Sequence, residues 1–359
     1  HPLMAPSTDR HTALIVGALG VTGRALVEYL EDKPDWDIIA LSRRAPDFAT
    51  RAKFLSVDLT DAADCRTKLS EHTEITHVFY TAYSQQASVT AEIPVNVGML
   101  ANLMDALEPA GLRHVQLMHG AKWYGTYLGS YKTPAREDDP RPLPVNFYHA
   151  QQDWLVERHA AQSSPSGWSW SAMRPHGVWG FSTGSAMNLM TGIACYAAIS
   201  KQLGLPLRWP GSAGFYDRLY QLIDVELLAE AMVWTATTPT AANEAYNITN
   251  GDLFRWRQMW PRIAEFFDME VAEPQTIPVA ASMADKGALW DQMVAEHGLQ
   301  PYALDDIVNW AYLDMALNND IDQMSSLTKI FKAGWTNVWD SEATITRQLQ
   351  RLRDNKIIP

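Results

Sequence analysis

Cysteine is nearly missing from this chain, with only Cys65 and Cys195 among 359 residues. Two thiols build neither a disulfide framework nor the spacing of a zinc site, and they point to a reducing, cytoplasmic setting. An excess of basic residues is missing too. Twenty-nine Lys and Arg stand against 41 Asp and Glu, and the net charge of −12 argues against a nucleic-acid partner. No apolar run reaches the ~18 residues of a membrane span. The longest, from Met187 to Ile199, is interrupted by Asn188 and Thr191. His, Cys and acidic residues do not cluster at ligand spacings, so no metal is expected. The opening His1-Pro2-Leu3 carries no apolar leader and reads as a tag remnant ahead of Met4.

What is present is a hydrophobic content of 47%, enough for a sizeable core, and 14 tryptophans expected mainly as core or interface anchors. Short apolar runs alternate with helical spacing through the first half. Runs at 12–16, 37–41, 54–57, 76–80, 114–118 and 169–173 read as strands, and 94–107 and 146–161 as helices. This alternation predicts an α/β fold with a doubly wound parallel sheet. After residue 180 helical stretches dominate, at 187–203, 224–235, 253–267 and 279–297, with one strand-like piece at 244–248. The expected organisation is a nucleotide-binding domain over 4–180 and a mainly helical substrate-binding lobe over 181–359, with elements free to cross between them.

Gly17, Gly20 and Gly23 follow the first strand and open the first helix, together with Val21 and Thr22. Glycines there allow a tight turn and let a pyrophosphate approach the free N–H groups of the helix start, as in a Rossmann dinucleotide site. The second strand ends without the acidic residue that an NAD ribose would need there. It ends in Ser42, Arg43 and Arg44, whose donors suit the 2′-phosphate of NADP(H). Asp58 and Leu59 end the third strand, beside the adenine. Thr81, Ala82 and Tyr83 leave the fourth, Met118 and Gly120 the fifth, and Gly177 and Val178 follow the sixth, where backbone would meet the nicotinamide.

For chemistry the chain offers Lys122 and Tyr148. Short-chain dehydrogenases normally carry tyrosine and lysine four residues apart on one helix, but Gln152 stands four residues after Tyr148. Trp123, Tyr124, Phe147 and Trp179 are candidate walls of a substrate pocket, and His119 and His176 read as structural hydrogen-bonders.

At these residues the chain resembles the progesterone 5β-reductase and iridoid synthase-like enzymes, an atypical branch of the extended short-chain dehydrogenases. The resemblance rests on Gly120-Ala-Lys122-Trp-Tyr124-Gly125, on Asn146-Phe147-Tyr148 and on the acidic loop Arg136-Glu-Asp-Asp139-Pro140-Arg141. Arg174 to Phe181 and the ending Asp354 to Pro359 also fit, so it spans nearly the whole chain. It implies NADPH-dependent reduction of an activated C=C bond in an enone or enal, and the Met- and Trp-rich helical lobe suggests that this substrate is apolar. Tyr148 would hydrogen-bond the developing enolate oxygen, with Lys122 in support. Carbonyl reduction or alcohol oxidation by the same residues, and a non-catalytic NADP(H)-binding regulator, are the alternatives. A homodimer is the expected assembly.

Overall fold

Short runs of aliphatic residues build one central sheet in the computed structural model, which describes residues 9–163, 167–183 and 185–359. The expected tag remnant and Met4 lie outside these residues. The strands are β1 (His11–Val16), β2 (Trp36–Leu41), β3 (Lys53–Leu55), β4 (His77–Tyr80), β5 (His114–Met118) and β6 (Ser169–Pro175). Shorter strands follow as β7 (Val178–Trp179), β8 (Leu219–Tyr220), β9 (Ile223–Asp224), β10 (Glu244–Ile248) and β11 (Phe254–Arg255). The main sheet has the order β10-β6-β5-β4-β1-β2-β3. Strands β3, β2, β1, β4, β5 and β6 pair in parallel. Parallel strands are covered on both faces, which is why Ala13, Leu14, Ile15 and Val16 form an unbroken, fully buried run. Strand β1 lies between β2 and β4, so the strand order reverses about it and a crevice opens at its carboxyl end.

The helices α1 (Val21–Leu30), α2 (Ala62–Leu69), α3 (Val89–Leu107) and α4 (Phe147–Ala160) connect the strands, and α5 (Leu189–Gln202) follows β7. Three stretches differ from the sequence expectation. Helix α3 begins at Val89, not Pro94, because the Ser88 hydroxyl accepts the Ala91 N–H and caps it. The proline therefore lies inside the helix, although its missing N–H suits a helix start better. The helix expected over 279–297 is two, Val279–Met283 and Gly287–His297. The Asp314 carboxylate accepts the Val279 and Ala280 N–H groups and anchors the first, and Lys286 caps the second outside helical geometry. The helix expected from Leu253 starts at Trp256, after β11.

The chain forms two compact units, and neither is continuous in sequence. One takes His1–His119, Arg141–Met173 and Ala229–Tyr246, and the other Gly120–Pro140, Arg174–Leu228 and Asn247–Pro359. The first unit's core is aliphatic, with Leu14, Val16, Val78, Leu100, Leu103, Val115 and Leu117 at its centre. The second is built around tryptophan. Trp209 meets Trp260 edge-on at 5.1 Å and Trp256 at 5.9 Å, with Met190, Met259 and Met293 filling the space around them. No helix among the described residues is long and apolar enough to cross a membrane.

His114 sits buried at the amino end of β5, with its two ring nitrogens each 2.7 Å from the hydroxyls of Ser169 and Ser171. Burial holds its pKa down to about 3, and does the same for His77. The unfolded chain binds protons at these imidazoles below pH 6.5 while the folded protein does not. Stability should therefore fall as pH drops from 6.5 toward 3. Urea unfolding at pH 6.5 and pH 5 should show a loss of about 1–2 kcal/mol per histidine. In His114→Gln that pH slope should be visibly shallower, whatever the variant's absolute stability.

Candidate active site

The glycine loop begins where β1 ends. Gly17 adopts φ +79°, and a Cβ there would lie 2.9 Å from the Thr81 carbonyl carbon and hydroxyl. The close approach is held by Thr81, whose hydroxyl donates to the Val16 carbonyl at 2.6 Å and whose N–H donates to the same oxygen. A Cβ at Gly23 would stand 2.2 Å from the Gly17 carbonyl oxygen, so the first turn of α1 can lie against the loop only as glycine. Gly20 caps α1 without a side-chain hydrogen bond, and no acidic residue occupies the first turn. Helix geometry leaves the first-turn N–H groups, including those of Val21 and Thr22, without intrahelical acceptors. This cradle fits a pyrophosphate.

At the end of β2 the Ser42 hydroxyl accepts the Arg44 N–H. The Arg43 and Arg44 side chains are exposed, and among the described residues neither meets a carboxylate at ion-pair distance. Arg24, which sequence reasoning passed over, behaves differently. It is buried in α1, reaches Glu28 and Asp47, and lies 4.2 Å over the Phe48 ring, so it pins the loop after β2 onto the helix. An arginine on the apolar face of a helix was the available signal. Asp58 accepts both the N–H and the hydroxyl of Thr60, which holds its pKa below the usual carboxylate range with the help of nearby Arg43. Leu59 is buried, and its carbonyl accepts from Asn102. Two exposed guanidiniums at the end of β2 fit a dinucleotide whose ribose carries a phosphate, as their forked donors suit that group.

Tyr148 gains its place from helix capping. Asn146, fully buried, accepts the Tyr148 N–H at 3.0 Å, while the His149 ring accepts the Asn146 N–H at 3.2 Å. This reciprocal box starts α4 at Phe147 and puts Tyr148 in its first turn. The Tyr148 ring meets Phe147 edge-on at 4.7 Å and stacks on His119 at 4.5 Å. Phe147 also stacks on Tyr83, 5.2 Å away, next to Ala82. Burial first, and then the Glu92 carboxylate, push the Tyr83 phenol well up. The motif's asparagine and aromatics are therefore one local device, a cap followed by a packed pair of rings.

Lys122 belongs to the other unit. It lies in a 3₁₀ turn, Ala121–Tyr124, that closes at Gly125 with φ +81°. Its ammonium is 5.5 Å from the centre of the Tyr127 ring. The flanking aromatics are anchored by residues that sequence reasoning did not connect. The Arg174 guanidinium lies 3.7 Å over Trp123 and donates to the Tyr124 hydroxyl and the Glu137 carbonyl. The Tyr124 hydroxyl donates to Asn247 at 2.5 Å, and burial pushes its pKa up to about 12. Asn247 in turn donates to the Ala135 carbonyl and Glu137 carboxylate, whose pKa burial raises. A buried asparagine in the apolar run 244–248 was the only sign of this network.

Gly177 has φ +62°, and a Cβ there would lie 2.3 Å from the Gln221 carbonyl oxygen. Val178 pairs with Ile223 in the small β7–β9 sheet. Trp179 is buried in the tryptophan core, 6.3 Å from Trp256. His176 packs edge-on to Tyr220, and burial lowers its pKa to about 4. Met118 pairs with Met173 at the end of β5, and Gly120 follows two residues later.

Sheet order and glycine cradle define a Rossmann-type nucleotide-binding protein. The model of the PRISE-like Rossmann-fold domain matches residues 13–359. An (S)-8-oxocitronellyl enol synthase of Nepeta cataria is 34% identical over 99% of this chain and 95% of its own length. A 3-oxo-Δ4,5-steroid 5β-reductase of Arabidopsis thaliana is 33% identical over 97% and 93%. The chain belongs to the PRISE-like family, that of the progesterone 5β-reductase and iridoid synthase-like enzymes. Solved structures share the fold at lower identity. The Bordetella bronchiseptica enzyme WbmG in complex with NAD superposes with a TM-score of 0.68 at 16% identity, covering 99% of this chain and 98% of that one. The Thermotoga maritima UDP-glucose 4-epimerase gives 0.66 at 15%, covering 96% and 99%.

Removing both guanidiniums tests the cradle. Arg43→Ala with Arg44→Ala should weaken NADPH by about tenfold or more and leave NADH within about twofold, read by fluorescence titration. Equal loss for both nucleotides would show that the arginines do not read the 2′-phosphate.

Proposed function

We propose that this protein is an NADPH-dependent reductase of activated C=C bonds, acting on apolar enones or enals. The observation that carries the reading is membership, over residues 13–359, in the PRISE-like family, together with similarity to an enol synthase and a steroid 5β-reductase along nearly their full length. When bound, NADPH supplies the hydride. The protein's task is to orient the substrate and to stabilise negative charge on its carbonyl oxygen as the β-carbon is reduced. Tyr148 is assigned that task, with its phenol O–H donating to the oxygen. A donor fixed beforehand needs no reorganisation as charge develops, and α4's cap provides such fixing. Lys122 is assigned a supporting positive charge. The regulator reading loses ground, because a mere sensor has no need of a capped, ring-packed tyrosine.

The exposed Arg43 and Arg44 side chains are assigned to the cofactor's phosphate, and the Gly17–Gly23 loop to its pyrophosphate. Asp58, Leu59, Thr81, Ala82, Tyr83, Met118, Gly120, Gly177 and Val178 complete the proposed cofactor contacts. Trp123, Tyr124, Phe147 and Trp179 are proposed as aromatic surroundings of the substrate, and residues 4–180 and 181–359 are proposed as the nucleotide-binding and substrate-binding parts. Two buried free thiols suit a cytoplasmic protein, and a homodimer is the assembly we propose.

Product analysis over a panel of enones and enals with deuterium-labelled NADPH should place the label on the β-carbon of a saturated carbonyl product. Label on the carbinol carbon of an allylic alcohol would replace this reading with carbonyl reduction. Tyr148→Phe should keep NADPH affinity and lower kcat by about 10²-fold, as loss of an oxyanion donor does. Full turnover in that variant would remove Tyr148 from the mechanism.

A further inference from the structure

Behind Tyr148 runs a chain of buried polar side chains that the proposed reaction does not itself require. His119, at the end of β5, lies flat against the Tyr148 ring, with centroids 4.5 Å apart and planes inclined by 25°. Its Nε2 is 3.0 Å from Oε1 of Gln151, which stands three residues after Tyr148 on the same face of α4. The Gln151 amide nitrogen donates to the Asn96 carbonyl at 3.1 Å, so its orientation is set and its oxygen must face the histidine. The imidazole therefore carries its proton on Nε2. Asn96 is held as firmly. Its amide donates to the Glu92 and Ser84 carbonyls, and its oxygen accepts the Ser84 N–H. His119, Gln151 and Asn96 are exposed by 4%, 2% and 0%.

Each link has one geometry, and burial makes each expensive to break. The His119 main chain is tied as well, since its N–H donates to the Met173 carbonyl in continuation of the sheet. A ring fixed at both ends forms a rigid wall against one face of the phenol, while Phe147 closes its edge. We propose that His119 is a positioning residue that sets the direction of the Tyr148 O–H, with Gln151 and Asn96 fixing the imidazole and tying it to the loop after β4. This rests on the role of Tyr148 proposed above. A donor aimed at developing charge loses most of its effect when misplaced by about an ångström.

The test is a double-mutant cycle on the full-length protein, with cyclohexenone as the probe enone and NADPH at saturation. His119→Ala should lower kcat by about tenfold with NADPH affinity near wild type and a lower melting temperature, assayed below that temperature. The same change in a Tyr148→Phe background should cost less than about twofold, because the group it positions is gone. Gln151→Leu, which removes the tether but keeps both rings, should give a smaller loss that also disappears without Tyr148. Equal losses in the two backgrounds, or an unchanged kcat in His119→Ala, would overturn the proposal and leave the role of Tyr148 intact. If Tyr148→Phe alone turns over at the wild-type rate, the donor assignment fails first, and the positioning role with it. Should His119→Ala not fold, the Gln151→Leu cycle decides by the same criterion.

Discussion

The approach of two backbone segments sets the terms for the nucleotide-binding unit. Gly23 in the first turn of α1 and the carbonyl of Gly17 at the end of β1 come so near that no Cβ fits between them. Thr81 holds the other side of the loop by bonding the same strand end. The helix is thereby pressed onto the sheet with its uncapped amino end turned to the crevice at β1. The cofactor contacts proposed above are arranged around that point. The arginines lie at the end of the neighbouring β2, and the Thr81 to Tyr83 segment leaves β4 on the opposite side of β1. Arg24, just beyond the last glycine, uses the same tight packing to hold the loop that displays Arg43 and Arg44.

Tyrosine and lysine are set by different local devices. In the common dehydrogenase layout one helix carries both, and its regularity fixes their spacing. Here Tyr148 depends on a capping box, Asn146 with His149, and on flanking rings. Lys122 depends on a short 3₁₀ turn closed by a left-handed glycine and braced by Arg174, Tyr124 and Asn247. Neither device relies on helix periodicity. This explains why a tyrosine without a lysine four residues on still occupies an ordered, reproducible position.

Much of this was legible in the residues. Strand runs such as 12–16 and 114–118 are apolar because both sheet faces are covered, and the glycine loop is marked by its own steric need. Ser88 and Pro94 show where legibility stops. A proline imitates a helix start, and a serine whose hydroxyl does the capping looks like any loop residue. The break in 279–297 turns on Asp314, remote in sequence from the N–H groups it accepts. The bracing of Tyr124 was hidden for the same reason, since its partner Asn247 is 123 positions away. Local chemistry shows in a sequence, whereas polar bonds closed across the fold do not.

The chain passes from one compact unit to the other five times between its ends. Neither half can therefore be exchanged with a relative by a single genetic crossover. A clean swap of the tryptophan-rich unit would need five junctions, each inside or beside a segment that carries site residues. A single junction cannot move either unit whole, because each is made of three separate stretches of chain.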